Sequence, residues 1–426
     1  MRSEIVGRRI WLGAALALVL CHAMPAHSAE PIRLTMIEAF SGPFANTGEA
    51  VARNLVFAIE RINARGGVKL ASGARTMELE RFDSKGLVEE ALTMFRRATD
   101  THAAFVLQGN SSAVAAALIE AVNKHNGRVP DQRVLFFNYS AVDPTLTNER
   151  CSPWHFRFDA HVEMRMAALV QALASNAAAT KVYLLNQDYS FGREVAANAR
   201  AMLAERQTSV RIVGDELHPV GKVRDFAPYV AKIKESGADT VVTGNWGNDL
   251  TLLVRAAREA GLSVNFYTFY GNGLGAPATI GDAGVGRVYA VAEWHPNALP
   301  ASMERVYQEF RRRFPDARDD FFQARTIVMV EMLVRAIETA GQVDALAVAR
   351  VLSGMTFTMS DGNPLGNVTM RSTDHQLIGP LVVSVMDRQG TPGVVYDVEG
   401  SGYGFRSQLA IPPAMNERPS RCVMKN

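Results

Sequence analysis

Cysteine is scarce in this chain, with three in 426 residues. Neither a paired-cysteine motif nor a His-Glu-x-x-His run occurs, which excludes a zinc-ribbon domain and a zincin-type hydrolase. An excess of one charge is lacking as well: 45 Lys and Arg stand against 43 Asp and Glu. Without a basic stripe there is no electrostatic basis for binding nucleic acid. Long hydrophobic runs are missing too. The apolar run Ile10 to Cys21 has 12 residues, whereas a bilayer span takes about 20. Heptads, low-complexity tracts and short-period repeats are absent, so coiled coils and solenoids are excluded. Gly271-Asn272-Gly273-Leu274-Gly275 lacks the spacing and partner acid of a dinucleotide fingerprint.

What is present begins with an export signal. Arg2, Arg8 and Arg9 form a basic start, the short apolar run follows, and Ala26-His27-Ser28-Ala29 provides small residues for cleavage after Ser28 or Ala29. Residues 1–29 are therefore expected to be a signal peptide and the mature protein to be periplasmic. Arg8-Arg9-Ile10-Trp11-Leu12 is a partial twin-arginine match, so the general route is the default. Bulky residues before Cys21 argue against a lipoprotein box. Removing three arginines and one glutamate leaves 42 basic and 42 acidic residues, a formally neutral chain. Cleavage also removes Cys21. Cys151 and Cys422 then remain, and two cysteines in an oxidising compartment are expected to pair.

From Pro31 onward short β-branched or aromatic runs alternate with amphipathic helical segments. Strands are predicted at 32–37, 77–82, 103–107 and 134–137, with helices at 48–64, 88–99 and 112–124 between them. In the helix at 48–64, Val51, Leu55, Ala58, Ile59 and Ile62 fall on one face. The alternation restarts with strands at 181–185, 210–216, 240–243, 265–269 and 286–292 and helices at 192–205, 226–236 and 250–260. A helical stretch over 303–339, broken near Pro315, and a hairpin of 381–386 with 393–398 complete the chain. Such alternation implies parallel sheets with helices on both faces, in two α/β halves.

Several segments now resemble a known family. Ser41-Gly42-Pro43-Phe44-Ala45, the run Ala58 to Gly67, Gly109-Asn110-Ser111-Ser112, Asp188-Tyr189-Ser190-Phe191-Gly192 and Leu377-Ile378-Gly379-Pro380 are similar to segments of periplasmic solute-binding proteins of the branched-chain amino acid class. Their order and spacing cover nearly the whole mature chain. The resemblance implies a type I periplasmic binding fold: two Rossmann-like lobes joined by three crossovers, closing on a ligand. Lobe one would comprise 30–157 plus 294–368 and lobe two 158–293 plus 369–426. It implies a non-catalytic receptor, without cofactor or metal, that is monomeric and delivers a small molecule to ABC-transporter permease subunits. Cys151 would lie near the first crossover, so that a disulfide tethers the tail without locking the lobes.

The resemblance also assigns candidate ligand contacts. Asn110, Ser111 and Ser112 sit where a strand gives way to a helix N-terminus, which suits a carboxylate; one of them is expected to cap the helix instead. Ser140, Ala141 and Val142 form a second carboxylate-side loop, with Val142 where amino-acid binders usually present a hydroxyl. Tyr189 and Trp246 supply aromatic walls from the other lobe, Phe44 adds a ring, and Asn272 stands in the loop where amino-acid binders carry an acid for the ligand ammonium. That loop, Tyr270 to Gly275, has no acid, and a buried ammonium without a charged partner is costly. Glu293 and Asp249 are the nearest substitutes, without a sequence reason to place either in the cleft. The expected ligand is therefore an aromatic or aliphatic carboxylate, with a branched-chain or other amino acid next.

Two other classes remain. The same fold serves as a sensor for a signalling partner, which sequence does not separate from transport. Gly109-Asn110-Ser111-Ser112-Ala113 also resembles a nucleophile elbow without its last glycine, but His155, His161, His218, His295 and His375 lie in no supporting motif.

Overall fold

The computed structural model describes residues 30–205 and 210–424; the expected signal peptide, 1–29, lies outside the described residues. The chain opens with β1 (Ile32–Glu38), α1 (Ala45–Ala64), β2 (Met77–Asp83), α2 (Val88–Asp100), β3 (Phe105–Gln108), α3 (Ser112–Arg128), β4 (Leu135–Asn138) and β5 (His155–Arg157). Their strands form one parallel sheet in the order β2-β1-β3-β4-β5. All four residues of β3 and all four of β4 are buried, as expected for parallel strands covered on both faces.

A second layer system follows: α4 (Val162–Ala174), β6 (Lys181–Gln187), α5 (Ser190–Glu205), β7 (Arg211–His218), α6 (Ala227–Glu235), β8 (Thr240–Thr243), α7 (Gly247–Glu259), β9 (Asn265–Thr268), α8 (Ala276–Ile280) and β10 (Val288–Ala292). The chain then returns to the first lobe through α9 (Ala301–Arg313), α10 (Ala324–Ala340) and α11 (Ala345–Leu352). A small antiparallel sheet of β11 (Thr356–Phe357), β12 (Val368–Met370) and β13 (Leu377–Ile378) precedes β14 (Leu381–Arg388) and β15 (Tyr403–Ile411). These last two extend the second sheet, ordered β15-β14-β10-β9-β8-β6-β7, with β14 antiparallel to β10. Each sheet carries an apolar cluster on each face. In the first lobe, α1 and α10 cover one side and α2 and α3 the other; in the second, α4 and α5 cover one side and α6 and α7 the other.

Two sequence expectations are corrected. Residues 393–398 are not the second hairpin strand; β15 pairs with β14 instead. Gly390 and Gly393 adopt positive φ, and the Asn297 side chain accepts the N–H groups of Val395 and Tyr396 at 2.9 and 2.8 Å, which diverts that backbone from a ladder. Helix α4 has no counterpart in the sequence reading. It buries Met164, Arg165 and Met166 in succession and then Ala168, Leu169 and Val170, so no polar stripe marks its period.

Three crossings join the lobes. The first lies between β5 and α4 and the second between β10 and α9. For the third, a division between 368 and 369 would cut through β12, whose Val368 and Met370 share the first lobe's core with Leu377. Ile378 and Leu381 belong to the second lobe's core, so we place this crossing at Ile378–Leu381. Gln376 ties it to the first crossing, accepting from Arg157 Nε at 2.6 Å and donating to the Asp159 carbonyl at 2.9 Å. The tail returns to the first lobe, where Cys422 is disulfide-bonded to Cys151 and the Arg421 N–H donates to Asn148 Oδ1 at 2.8 Å. The lobes also meet away from the crossings. Phe44 of the first lobe packs on Trp246 of the second, with ring centroids 4.2 Å apart.

Two measurements test this architecture. The disulfide closes a separation of 271 residues, and native disulfides contribute about 2–5 kcal/mol. Cys422→Ser is expected to lower the melting temperature by several degrees under oxidising conditions and to leave the reduced wild type and variant alike. Glu399, on the β14–β15 connection, accepts the Gly275 N–H at 2.7 Å. Burial pushes its carboxyl up to about 7, with the Gly275 N–H and Arg53 opposing and Asp320 adding to the rise. A raised carboxyl binds its proton more tightly folded than unfolded, so its stabilisation is complete below about pH 4.5 and is lost as pH rises through about 7. Across that window the melting temperature of Glu399→Gln is expected to fall less than that of wild type; parallel curves would overturn the assignment.

Candidate functional site

The carboxyl ends of the parallel strands in both lobes face one another, where α/β sheets hold ligands. Between them lies a partly enclosed cavity. Asn110 and Ser112 reach it from the β3–α3 turn, Ser140 to Val142 from the end of β4, Tyr189 and Phe191 from the β6–α5 turn, and Trp246 from the β8–α7 turn. Tyr270 and Leu274 follow β9, while Phe321, Gln323 and Arg325 lead into α10. Four helix N-termini, those of α3, α5, α7 and α10, thus converge on one space. Each carries partial positive charge; at α3 the Val114 N–H is capped by Ser111, and at α10 the Arg325 N–H donates to Glu293 at 3.2 Å.

The turns are shaped for close approach. At Gly109 a Cβ atom would come within 2.5 Å of the Tyr139 ring and 2.7 Å of the Ser140 nitrogen, so no side chain fits where the two first-lobe loops touch. Glu38, at the end of β1, braces that junction by accepting the N–H groups of Gly109 and Asn110 and the Tyr139 hydroxyl at 2.9, 2.7 and 2.7 Å. Burial drives its carboxyl upward despite those bonds. The loop after β4 is held by Arg157, which donates to the Asp143 carbonyl at 2.6 Å and to Thr147. Asn138 adds bonds to the Ser140 and Ala141 N–H groups. Burial lowers the Arg157 guanidinium to about 10.

Seven of the ten expected contact residues line this cavity: Asn110, Ser112, Ser140, Ala141, Val142, Tyr189 and Trp246. The other three do not. The Ser111 hydroxyl accepts the Val114 N–H and caps α3, which is the capping role expected of one member of the trio. Phe44 lies outside, its ring tilted against that of Trp246; it and Ser111 line a neighbouring cavity, whereas Asn272 lines neither. No histidine among the described residues hydrogen-bonds the Ser111 hydroxyl. His155 instead bonds Asn138, His218 bonds Asn245 and His295 bonds Ser407.

The sequence reading did not find Arg325. Only 6% exposed, it donates from Nε to the Tyr139 carbonyl at 2.7 Å and from Nη2 to Ser140 Oγ at 3.0 Å. Its Nη1 bonds both Glu293 carboxylate oxygens at 3.0 Å, and Asp159 Oδ2 lies 3.3 Å from Nε. Arg165 completes the set, paired with Asp159 and donating to the Val291 carbonyl at 2.5 Å. Asp159 sits on the first crossing and Glu293 on the second, so two guanidinium and two carboxylate groups bind both crossings to the cavity wall. Glu293 and Asp249 supply no acid to the wall: Glu293 is engaged behind Arg325, and Asp249 accepts from Gln187 and the Gly221 N–H. Among the described residues that line the cavity, Arg325 is the only charged one. Opposite it, the Trp246 Nε1–H donates to the Tyr189 hydroxyl at 2.8 Å, fixing two rings of the second-lobe wall.

Removing Arg325 leaves buried carboxylates without compensation. Arg325→Met is expected to destabilise the protein by about 3–5 kcal/mol. Adding Glu293→Gln to that variant should restore part of the loss in chemical denaturation; a double variant as unstable as the sum of the two singles would show that the groups are not coupled.

A model of the periplasmic binding protein family matches residues 31–391. A Leu/Ile/Val-binding protein homolog 4 from Brucella abortus (strain 2308) is 31% identical over 403 residues, 92% of this chain and 91% of that protein. The solved structure of a leucine-, isoleucine-, valine-, threonine- and alanine-binding protein from Brucella ovis, in its closed conformation, superposes with a TM-score of 0.80 at 27% identity, covering 93% of this chain and all of that one. A solute-binding protein of an ABC transporter from R. palustris, in complex with 4-hydroxybenzoate, shares the fold with a TM-score of 0.74 at 18% identity over 90% of this chain and 97% of that one.

Proposed function

The chain belongs to the periplasmic binding protein family, and on that premise we propose that it is the extracytoplasmic receptor of an ATP-driven importer for a small organic carboxylate. The observation that carries this reading is the charge of the cavity wall. Four helix N-termini face a space whose described lining contains no acid, and Arg325 lines it with its charge balanced by Glu293 and Asp159. Such a field favours an anion. An ammonium group would be desolvated there without a charged partner, at a cost that rises steeply with burial. The aromatic side chains Tyr189, Phe191, Trp246, Tyr270 and Phe321 favour a flat or extended apolar body behind the carboxylate.

The mechanism is lobe closure. Asn110, Ser112 and Ser140 receive the carboxylate on the first lobe, and Tyr189 and Trp246 fold over it from the second and exclude water. Ligand stabilises the closed form only through contacts made to both lobes at once. The crossings carry no ligand contact themselves; Arg325 connects them to the wall.

A second reading is a branched-chain amino acid, favoured by the names of the similar Brucella proteins. It requires the ligand ammonium to find Glu293 by displacing one of its bonds to Arg325. Thermal-shift and calorimetric titration separate the two. Aromatic and aliphatic monocarboxylates are expected to raise the melting temperature, by mass action on the folded state, while leucine and valine leave it unchanged. Tyr189→Ala should weaken carboxylate binding at least about tenfold, the cost of roughly 1.4 kcal/mol of lost contact, with the ligand-free melting temperature nearly unaltered. Tight binding of leucine, with no response to amine-free acids, would replace this reading by the second.

A further inference from the structure

Phe44 belongs to the first lobe by its place in the chain, yet its ring packs against the apolar cluster of the second. It ends the β1–α1 loop, half-buried and outside the lining of the ligand cavity. The second lobe receives it in a socket built from two loops. Trp246, at the β8–α7 turn, forms one side, with ring centroids 4.2 Å apart and planes inclined by 30°. Gly221 and Gly247 form the rest. A Cβ atom on Gly221 would come within 3.1 Å of two Phe44 ring carbons and 3.5 Å of Pro43, and one on Gly247 within 3.1 Å of the same ring. Both glycines adopt positive φ, +64° and +58°, a conformation that disfavours other side chains. The bare backbone thus leaves the space that the ring fills.

Plug and socket are each braced within their own lobe. Asp83, at the end of β2, accepts the Phe40 N–H at 2.9 Å, the Ser41 hydroxyl at 2.7 Å and the Lys85 N–H at 2.8 Å, which fixes the root of the β1–α1 loop. Asp249, buried in the first turn of α7, accepts the Gly221 N–H at 2.9 Å and the Gln187 amide at 2.7 Å. It thereby ties the β7–α6 connection to the helix that begins at Gly247. Neither half depends on the other for these bonds. Their contact spans the two lobes, so opening breaks it, and it bears on Trp246, whose indole N–H holds Tyr189 on the ligand wall.

We propose that Phe44 is a closure latch: seated in the Gly221–Trp246–Gly247 socket, its ring stabilises the shut form without touching the ligand and sets how long a ligand is held. The inference rests on the lobe-closure mechanism above and not on the class of ligand. A contact that favours one conformer shifts the balance by the same factor whatever occupies the site. The latch therefore scales affinity without altering selectivity, whereas Tyr189 on the cavity wall discriminates among ligands.

The test is calorimetric and stopped-flow titration of the full mature protein and its Phe44→Ala variant with benzoate, hexanoate, leucine and valine, so that either ligand reading supplies two probes. Every probe that binds wild type is expected to bind the variant about three- to tenfold more weakly, the range an aromatic pair contributes, and by one common factor. The loss should appear in the dissociation rate, since the latch holds a ligand in and has no part in its entry. Tyr189→Ala should instead shift the probes by unequal factors. Unchanged affinities in Phe44→Ala would overturn the latch, and a loss confined to some of the bound probes would replace it by a direct ligand contact. Binding of leucine and valine alone would remove the carboxylate reading and leave the latch to the same comparison. Phe44→Leu, with a smaller common loss, serves if the alanine variant does not fold. If no probe binds, small-angle scattering of the ligand-free proteins decides: a radius of gyration larger in Phe44→Ala than in wild type supports the latch, and equal radii overturn it.

Discussion

Two arginines and two carboxylates, buried where the lobes join, are the constraint on which the rest of the molecule depends. Asp159 and Glu293 lie on different crossings, while Arg165 comes from a second-lobe helix and Arg325 from a first-lobe helix. Opposite charges in a dry interior attract strongly but must first be stripped of water, so such a set adds little net stability and much geometric definition. Here the definition is put to use at both ends. The same guanidinium that neutralises Glu293 holds the Tyr139 carbonyl and Ser140 hydroxyl, so the loop after β4 is positioned from the crossings.

On the proposed reading, the two lobes divide the work of recognition around that anchor. The first presents short polar side chains and backbone on tight turns, made possible by the bare backbone at Gly109. The second presents rings, fixed by the Trp246–Tyr189 hydrogen bond and steadied from the opposite lobe by Phe44. Polar groups orient a ligand and rings supply apolar area, the usual composition of a small-molecule site. Separating the two onto different bodies means that neither lobe alone completes the site, which is the condition for ligand-driven closure.

Much of this was legible in the sequence because it is local. Strand–helix alternation follows from periodicity within a dozen residues, and the turns bearing Asn110, Ser140, Tyr189 and Trp246 announce themselves as the ends of strands. The pairing of Cys151 with Cys422 is the one expected by arithmetic once the signal-peptide reading sets Cys21 aside. The errors were local as well. Helix α4 is apolar on nearly every side, so its period is hidden, and the segment 393–398 has strand-like residues whose amides are claimed by Asn297, about a hundred positions earlier.

What the sequence by itself determined was the α/β character of the two halves, the approximate ends of their strands and the absence of an acid in the loop after β9. Short-range pattern and composition are sufficient for these. Tertiary structure alone decided which groups meet. Arg325 stands 185 residues from Ser140 and 32 from Glu293, with no motif around it, and only the packing of α10 against the crossings makes it the single charged residue among the described lining of the cavity. The same holds for Phe321 and Gln323. A site assembled from strand ends in two lobes is a property of how sheets face each other, and that relation is fixed by contacts between residues far apart in the chain.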